Sequence, residues 1–281
     1  MTEWYAAHAR ELPWRRPGTT AWGVLVSEVM LQQTPVARVL PTYAEWMTRW
    51  PTPADLAGAS AGDAVRAWGR LGYPRRALRL HAAASAIVAD HGGVVPAELA
   101  ALLALPGVGS YTARAVASFA FGQRHPVVDT NVRRVVARVL GGAADRAPSA
   151  GADLRAVEPL LPETGASAAL FSAALMELGA TVCTARAPQC GQCPMVAACR
   201  WRAAGYPPLD GPARRPQAWA GTDRQVRGRL MQLMRDAPRP LPPRALHIAC
   251  DDPAQRDRAL AGLLADGLVE QDPAGRYALP S

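Results

Sequence analysis

Four of the chain's five cysteines, Cys183, Cys190, Cys193 and Cys199, fall within 17 residues as a C-x6-C-x2-C-x5-C run. In a reducing compartment such a cluster points to metal rather than to disulfides, and four thiolates suit a structural zinc ion or a 4Fe-4S cluster. Structural zinc usually pairs two short C-x2-4-C knuckles. Only Cys190 and Cys193 have that spacing, so the run favours iron and sulfur. Cys250 stands alone and reads as a small buried hydrophobe.

Two carboxylates carry the second signal. Glu28 lies in AWGVLVSEVMLQQT, the most apolar stretch of the N-terminal third, among Val24, Leu25, Val29 and Leu31. Burial raises a carboxyl pKa, and an acid kept partly protonated near neutrality can donate a proton to a leaving group. Asp129 precedes the periodic stretch TNVRRVVARVL, where it is expected to cap a helix, accept backbone N–H bonds and stay ionised. Asn131, the chain's only asparagine, follows in the first turn and can aim at the same place. One acid and one anion in different environments form the pairing that breaks glycosidic bonds. Taken alone, the residues leave open a core Glu paired with an Arg and an Asp that only caps.

The third signal is LPGVG, Leu105 to Gly109, between helical stretches at 96–103 and 110–121. Gly107 and Gly109 permit a tight turn that offers amide N–H groups at a helix N-terminus to a phosphate, a sequence-independent grip on nucleic acid. An ordinary helix–helix turn has the same composition.

The elements that must position these groups are helical. Apolar residues recur at helical spacing, as in Leu80, Ala83, Ala84, Ile87 and Val88, or Val132, Val135, Val136, Val139 and Leu140. Alternating strand patterns are nearly absent before residue 265. The first 200 residues therefore read as an all-α bundle punctuated by Pro51, Pro53, Pro96, Pro106 and Pro126. Residues 205–222 are rich in Gly, Pro and Arg and mark a linker between a domain over 1–204 and a small module over 223–281. In that module, helices are expected over 223–236 and 253–266, then two short strands around an Asp-Pro-Ala-Gly turn. That order suggests a winged-helix-like α+β fold.

Composition sets further bounds. The chain has 281 residues, enough for a sizeable core, and no apolar run approaches the roughly 20 residues needed to cross a bilayer. The first 30 residues hold Glu3, Arg10, Glu11, Arg15 and Arg16 and no continuous apolar stretch, so no secretory signal is expected and the expected location is cytoplasmic, with the nucleoid. All 31 basic residues are Arg. A lysine Schiff base is thereby excluded, leaving the N-terminus as the one primary amine. Of the net charge of +8, residues 1–209 carry +6, as 20 Arg against 14 acids. A polyanionic partner, nucleic acid above all, fits that charge.

Taken together, the set resembles the helix-hairpin-helix DNA glycosylases that carry an iron–sulfur cluster, and among them the branch that removes adenine. The motifs are LPWR at Leu12 to Arg15, SEVMLQQT at Ser27 to Thr34, LGY at Leu71 to Tyr73, LPGVGSYTA, VDTN and the cysteine loop, in family order and spacing over residues 11 to 202. The resemblance implies two helical lobes that hold duplex DNA across a cleft and flip the target base out of the stack. It implies that Glu28 protonates the adenine ring, that Asp129 stabilises the oxocarbenium-like sugar, and that Tyr111 and Asn131 organise that carboxylate. Gln33 and Tyr73 correspond to side chains that wedge into the duplex, and Trp14, Arg15, Leu31 and Glu177 to contacts with the adenine. The implied cofactor is a 4Fe-4S cluster on Cys183, Cys190, Cys193 and Cys199. The implied partner is double-stranded DNA with adenine opposite 8-oxoguanine or guanine, bound by a monomer with no membrane involved.

The related endonuclease III is a lyase that uses a Lys just after the hairpin glycines. Tyr111 stands there, so the reading is a monofunctional hydrolase. Two features depart from the family: the short C-terminal module lacks a Phe-Ser-His triplet, and Pro74 stands where many relatives carry a second Tyr. A glycosylase acting on another base and a non-enzymatic DNA-binding regulator are the alternatives.

Overall fold

The computed structural model describes residues 1–209 and 219–281. Part of the expected linker, 210–218, lies outside the described residues. The helices are α1 (Thr2–His8), α2 (Ala21–Leu31), α3 (Val36–Arg49), α4 (Pro53–Ala57), α5 (Ala61–Trp68), α6 (Arg75–His91), α7 (Leu99–Ala104), α8 (Ser110–Phe119), α9 (Thr130–Val139), α10 (Ala150–Val157), α11 (Gly165–Thr181), α12 (Arg200–Ala203), α13 (Asp223–Asp236) and α14 (Pro253–Ala265). Two short strands follow, β1 (Glu270–Gln271) and β2 (Tyr277–Ala278). Among the described residues no helix is long and apolar enough to cross a membrane.

The chain forms two compact units. The first comprises Met1–Glu28, Pro96–Ala104 and Val108–Ala213, and the second Val29–Val95, Leu105–Gly107 and Arg214–Ser281. In the first unit, the apolar stripe of α9 (Val132, Val135, Val136, Val139) packs against Leu175, Leu178 and Val182 of the α11 region and against Val157 and Leu161. Leu140 stays exposed because it lies past the end of α9, where the stripe no longer applies. Gly179 brings α11 hard against α9. A Cβ there would stand 2.7 Å from the Cβ of Asn131 and 2.8 Å from its carbonyl oxygen.

In the second unit, α4 and α5 pack on α6 over fully buried Trp46 and Trp68, whose rings meet edge to face at 5.4 Å. Val88 departs from the expected apolar stripe of α6: it is exposed, about 100° around the helix from buried Ile87. The C-terminal segment shows the expected order of elements. α13 packs on α14, β1 pairs antiparallel with β2 (Glu270 opposite Ala278, Gln271 opposite Tyr277), and Leu241 bridges to Tyr277. Cys250 is partly rather than fully buried, and its thiol donates to Gln255 Oε1 at 3.4 Å.

The C-terminal segment is docked on the helices of its own unit. The Gly62 amide donates to the Pro280 carbonyl at 2.8 Å, in a contact that leaves no room for a Cβ. Arg235 Nε donates to the Val65 carbonyl at 3.1 Å, and Arg66 donates to the Arg235 carbonyl. Asp266 takes ion pairs from Arg75 at 3.2 Å and Arg227 at 2.5 Å.

Candidate active site

Glu28 sits in the last turns of the α2 segment that belongs to the first unit, and it is 5% exposed. Ala21–Leu31 forms a helix with almost no polar face, so the carboxyl is desolvated by Trp22, Val24, Leu25 and Val26 of the same element, all buried. That burial pushes Glu28 up to about 7; the Tyr111 hydroxyl, which hydrogen-bonds it, pulls the other way, and the field of Asp129 adds to the rise. A carboxylic acid balanced near neutrality is the result.

Asp129 is the N-cap of α9, as expected. Its Oδ1 accepts the Val132 amide at 2.7 Å, and its Oδ2 accepts Asn131 Nδ2 at 2.7 Å. Burial raises the Asp129 carboxyl, and these hydrogen bonds oppose the rise. Tyr111 lies in the fields of both carboxylates, and burial plus those fields push its hydroxyl far above the ordinary phenol value. Glu28, Tyr111, Asp129 and Asn131 therefore share one site within the first unit. Arg15 is close enough to weigh against the rise of Glu28.

Asn131 is itself held. Arg134 Nη2 donates to Asn131 Oδ1 at 2.8 Å and to the Gly179 carbonyl at 2.6 Å, while its Nε donates to the Cys183 carbonyl at 2.8 Å. Glu177 is fully buried in α11. Burial alone would raise its carboxyl, but Arg10 (2.6 Å) and Arg15 (2.8 Å) outweigh that and hold it low. Trp14 is buried in the same unit.

The remaining candidates divide between the units. Gly109 is the N-cap of α8, whose first turn carries no acidic residue, so the positive end of the helix dipole faces an anion there without a competing carboxylate of its own. Gly107 belongs to the second unit, at φ +75° and packed on the Arg79 side chain so closely that only a hydrogen fits. Leu31, partly buried, and Gln33 and Tyr73, both exposed, also lie in the second unit.

Gln33 (φ 56°) and Tyr73 (φ 47°) share a left-handed backbone that non-glycine residues rarely adopt. Both are fixed by one buried group. Arg76 donates to the carbonyls of Val29 (2.9 Å), Met30 (3.0 Å), Gln32 (2.6 Å) and Gly72 (3.0 Å) and to Thr34 Oγ1 (2.9 Å). Desolvation pulls the Arg76 pKa down to about 10. Neither Arg76 nor Arg134 stands out in the sequence, because in a chain whose only strong cation is Arg the buried ones look like the exposed ones.

The four thiols of Cys183, Cys190, Cys193 and Cys199 line one recess with Val135, Val139, Leu178, Val182, Val196 and Trp201. Arg138 Nη1 approaches Cys183 Sγ at 3.4 Å and its guanidinium lies 4.3 Å over Trp201. Burial raises the Cys193 thiol, and the other three sulfurs add to the rise. Among the described residues no three His, Cys, Asp or Glu side chains close into a finished coordination sphere. A soft, all-sulfur donor set in an apolar recess with a cation beside it nevertheless suits an iron–sulfur cluster.

Acid, anion, hairpin glycines and cysteine loop together define a helix-hairpin-helix base-excision glycosylase, and residues 26–157 match the family model of the HhH-GPD superfamily base excision DNA repair proteins. The adenine DNA glycosylase of Mycobacterium tuberculosis (strain ATCC 25618 / H37Rv) is 60% identical over 282 residues, covering 100% of this chain and 92% of that protein. The human adenine DNA glycosylase is 44% identical over 216 residues, 72% of this chain and 38% of that protein. Among solved structures, a thermostable thymine-DNA glycosylase superposes with a TM-score of 0.66 at 29% identity, over 72% of this chain and 93% of that one. The chain belongs to the adenine DNA glycosylase family.

Proposed function

We propose that this protein hydrolyses the N-glycosidic bond of adenine mispaired with 8-oxoguanine or guanine in duplex DNA, as the first step of base excision repair. The observation that carries the reading is the Glu28 carboxyl, lifted to about 7 and sharing a site with the N-capped Asp129. Glu28 donates its proton to a ring nitrogen of the extruded adenine. The C1′–N9 bond breaks with its electron pair going to the base, and Asp129 stabilises the positive charge left on the sugar. Water adds to C1′ and returns its proton to the carboxylate of Glu28. Tyr111 holds Glu28 by its hydrogen bond, and Asn131 holds Asp129.

Arg15, Trp14 and Leu31 contact the adenine in this reading, and Glu177, buried beneath, bears on it through its ion pair with Arg15. Gln33 and Tyr73 enter the duplex beside it, and their left-handed backbones, pinned by Arg76, favour preformed wedges over loops that order on binding. The hairpin at Gly107 and Gly109 takes a phosphate. Cys183, Cys190, Cys193 and Cys199 would hold a 4Fe-4S cluster whose contribution is structural, since a hydrolysis transfers no electrons. Residues 1–204 act as the catalytic domain and 223–281 as a module joined through 205–222. The protein works as a monomer in the cytoplasm, at the nucleoid.

The test is incubation with duplexes that each carry one defined mispair, scored for free base. Free adenine from A opposite 8-oxoguanine or G, with none from A opposite T, is the expected result. Release of a different base overturns the assignment. Borohydride present during turnover should trap no substantial covalent protein–DNA adduct, because no lysine side chain is present to form an imine.

A further inference from the structure

Beside Tyr73 the second unit carries a ladder of alternating rings and guanidinium groups that runs from core to surface. Arg76 lies 5.1 Å from the ring centroid of fully buried Trp68 and 5.6 Å from that of Tyr73. Arg224 lies 5.8 Å from the centroid of the Tyr73 ring and 5.3 Å from that of Trp219. Tyr73 and Trp219 are each about half exposed. Arg224 comes from the first turn of α13, far along the chain from Tyr73, and the contacts of Pro280, Arg235 and Asp266 with residues 62 to 75 fix that segment in place. Asp223, the acidic neighbour of Arg224, is paired with Arg258 at 3.4 Å. Among the described residues, the Arg224 side chain takes part in no hydrogen bond or ion pair.

A guanidinium close to two rings, with no side-chain hydrogen bond or ion pair among the described residues, is arranged to grip a phosphate, since ring contact and edge donation use different parts of the group. We propose that Arg224 clamps a DNA phosphate next to the Tyr73 wedge, with Trp219 as an outer face on which a nucleotide stacks. This makes the C-terminal module part of the DNA-contacting surface at the wedge itself. The inference rests on the glycosylase reading only in taking DNA as the partner.

The test is the affinity of the full-length protein for a duplex carrying a tetrahydrofuran abasic analogue opposite 8-oxoguanine, followed by fluorescence anisotropy between 50 and 200 mM salt, a range drawn from the general behaviour of such complexes. One phosphate contact adds about 0.9 to the slope of log K against log salt, so Arg224→Ala should flatten the slope by that amount and weaken binding about eightfold at ~0.1 M salt. Arg224→Lys keeps the charge and should keep the slope. Trp219→Ala should weaken binding by about fivefold or more with the slope unchanged, as loss of one stacked base does. Both residues are exposed, so matching thermal melts show that the variants fold. An unchanged slope in Arg224→Ala overturns the clamp, and unchanged affinity in Trp219→Ala removes the stacking face. A parent protein that binds this duplex but frees no adenine from a mispair refutes the glycosylase reading and leaves the clamp standing.

Discussion

Glu28→Gln keeps the shape of the side chain and removes its titration. The folded protein lifts this carboxyl from 4.5 to about 7, mainly by burial. A group whose proton is held more tightly in the folded state stabilises the fold fully below the unfolded value, and that stability drains as pH rises through the folded value. Here the window runs from about 4.5 to about 7. At about 1.4 kcal/mol for each tenfold change in proton affinity, the loss by pH 8 is about 3 kcal/mol. The Glu28→Gln protein has no charge to desolvate and escapes that loss. It should therefore match the parent near pH 4.5 and exceed it by about 3 kcal/mol at pH 8, a rise of about 5 °C in Tm for a chain of this size. Single-turnover release of adenine should fall by about 10²- to 10⁴-fold, the usual contribution of a general acid. Urea unfolding of both proteins across this range, beside the excision assay, checks the two halves together. A stability difference that does not change with pH, or a parent that is the more stable at pH 8, refutes the buried-acid argument.

In the parent, the single-turnover rate should decline as pH rises past about 7, where Glu28 gives up its proton, and a pH–rate profile lacking that limb contradicts the acid role. Gly179→Ala puts a methyl group 2.7 Å from Asn131, so a gain of about 1 kcal/mol in helix propensity should be outweighed by about 1–3 kcal/mol of overpacking. Excision should drop more than about tenfold through displacement of Asn131 and Asp129, while duplex affinity measured by anisotropy holds. Arg76→Met leaves four carbonyls and the Thr34 hydroxyl without their donor and should cost about 3 kcal/mol in chemical unfolding; a loss below ~0.5 kcal/mol would show that water replaces the guanidinium.

Much of the site could be read from the chain because each group advertises itself locally. Asp129 caps α9 as any Asp before an apolar helical stripe is apt to do, and Glu28 is buried because its own helix has no polar face to offer it. The cysteine spacing is likewise a local property. What stayed hidden depends on contacts far apart in sequence. Nothing near Glu177 announces that Arg10 and Arg15 neutralise it, and nothing near Asn131 announces Arg134 or the missing side chain at Gly179. The docking of residues near the C-terminus on Gly62 and Val65 is invisible for the same reason: a glycine chosen for close approach reads like any other glycine. The stripes misled only at their edges, where Val88 and Leu140 continue an apolar run that the helix no longer turns inward.

The second unit is closed by residues from both sides of a long insertion, and this constrains how the protein is made. Residues 29–95 emerge from the ribosome well before the segment that begins at 214. At about 5–20 residues per second the delay before Leu279 and Pro280 are made is about 9–37 s, during which the groove that will receive them stays bare in the nascent chain. The helices of residues 29–95 must wait for the segment that covers them, and translation speed through the intervening stretch sets how long that surface is open to a wrong partner.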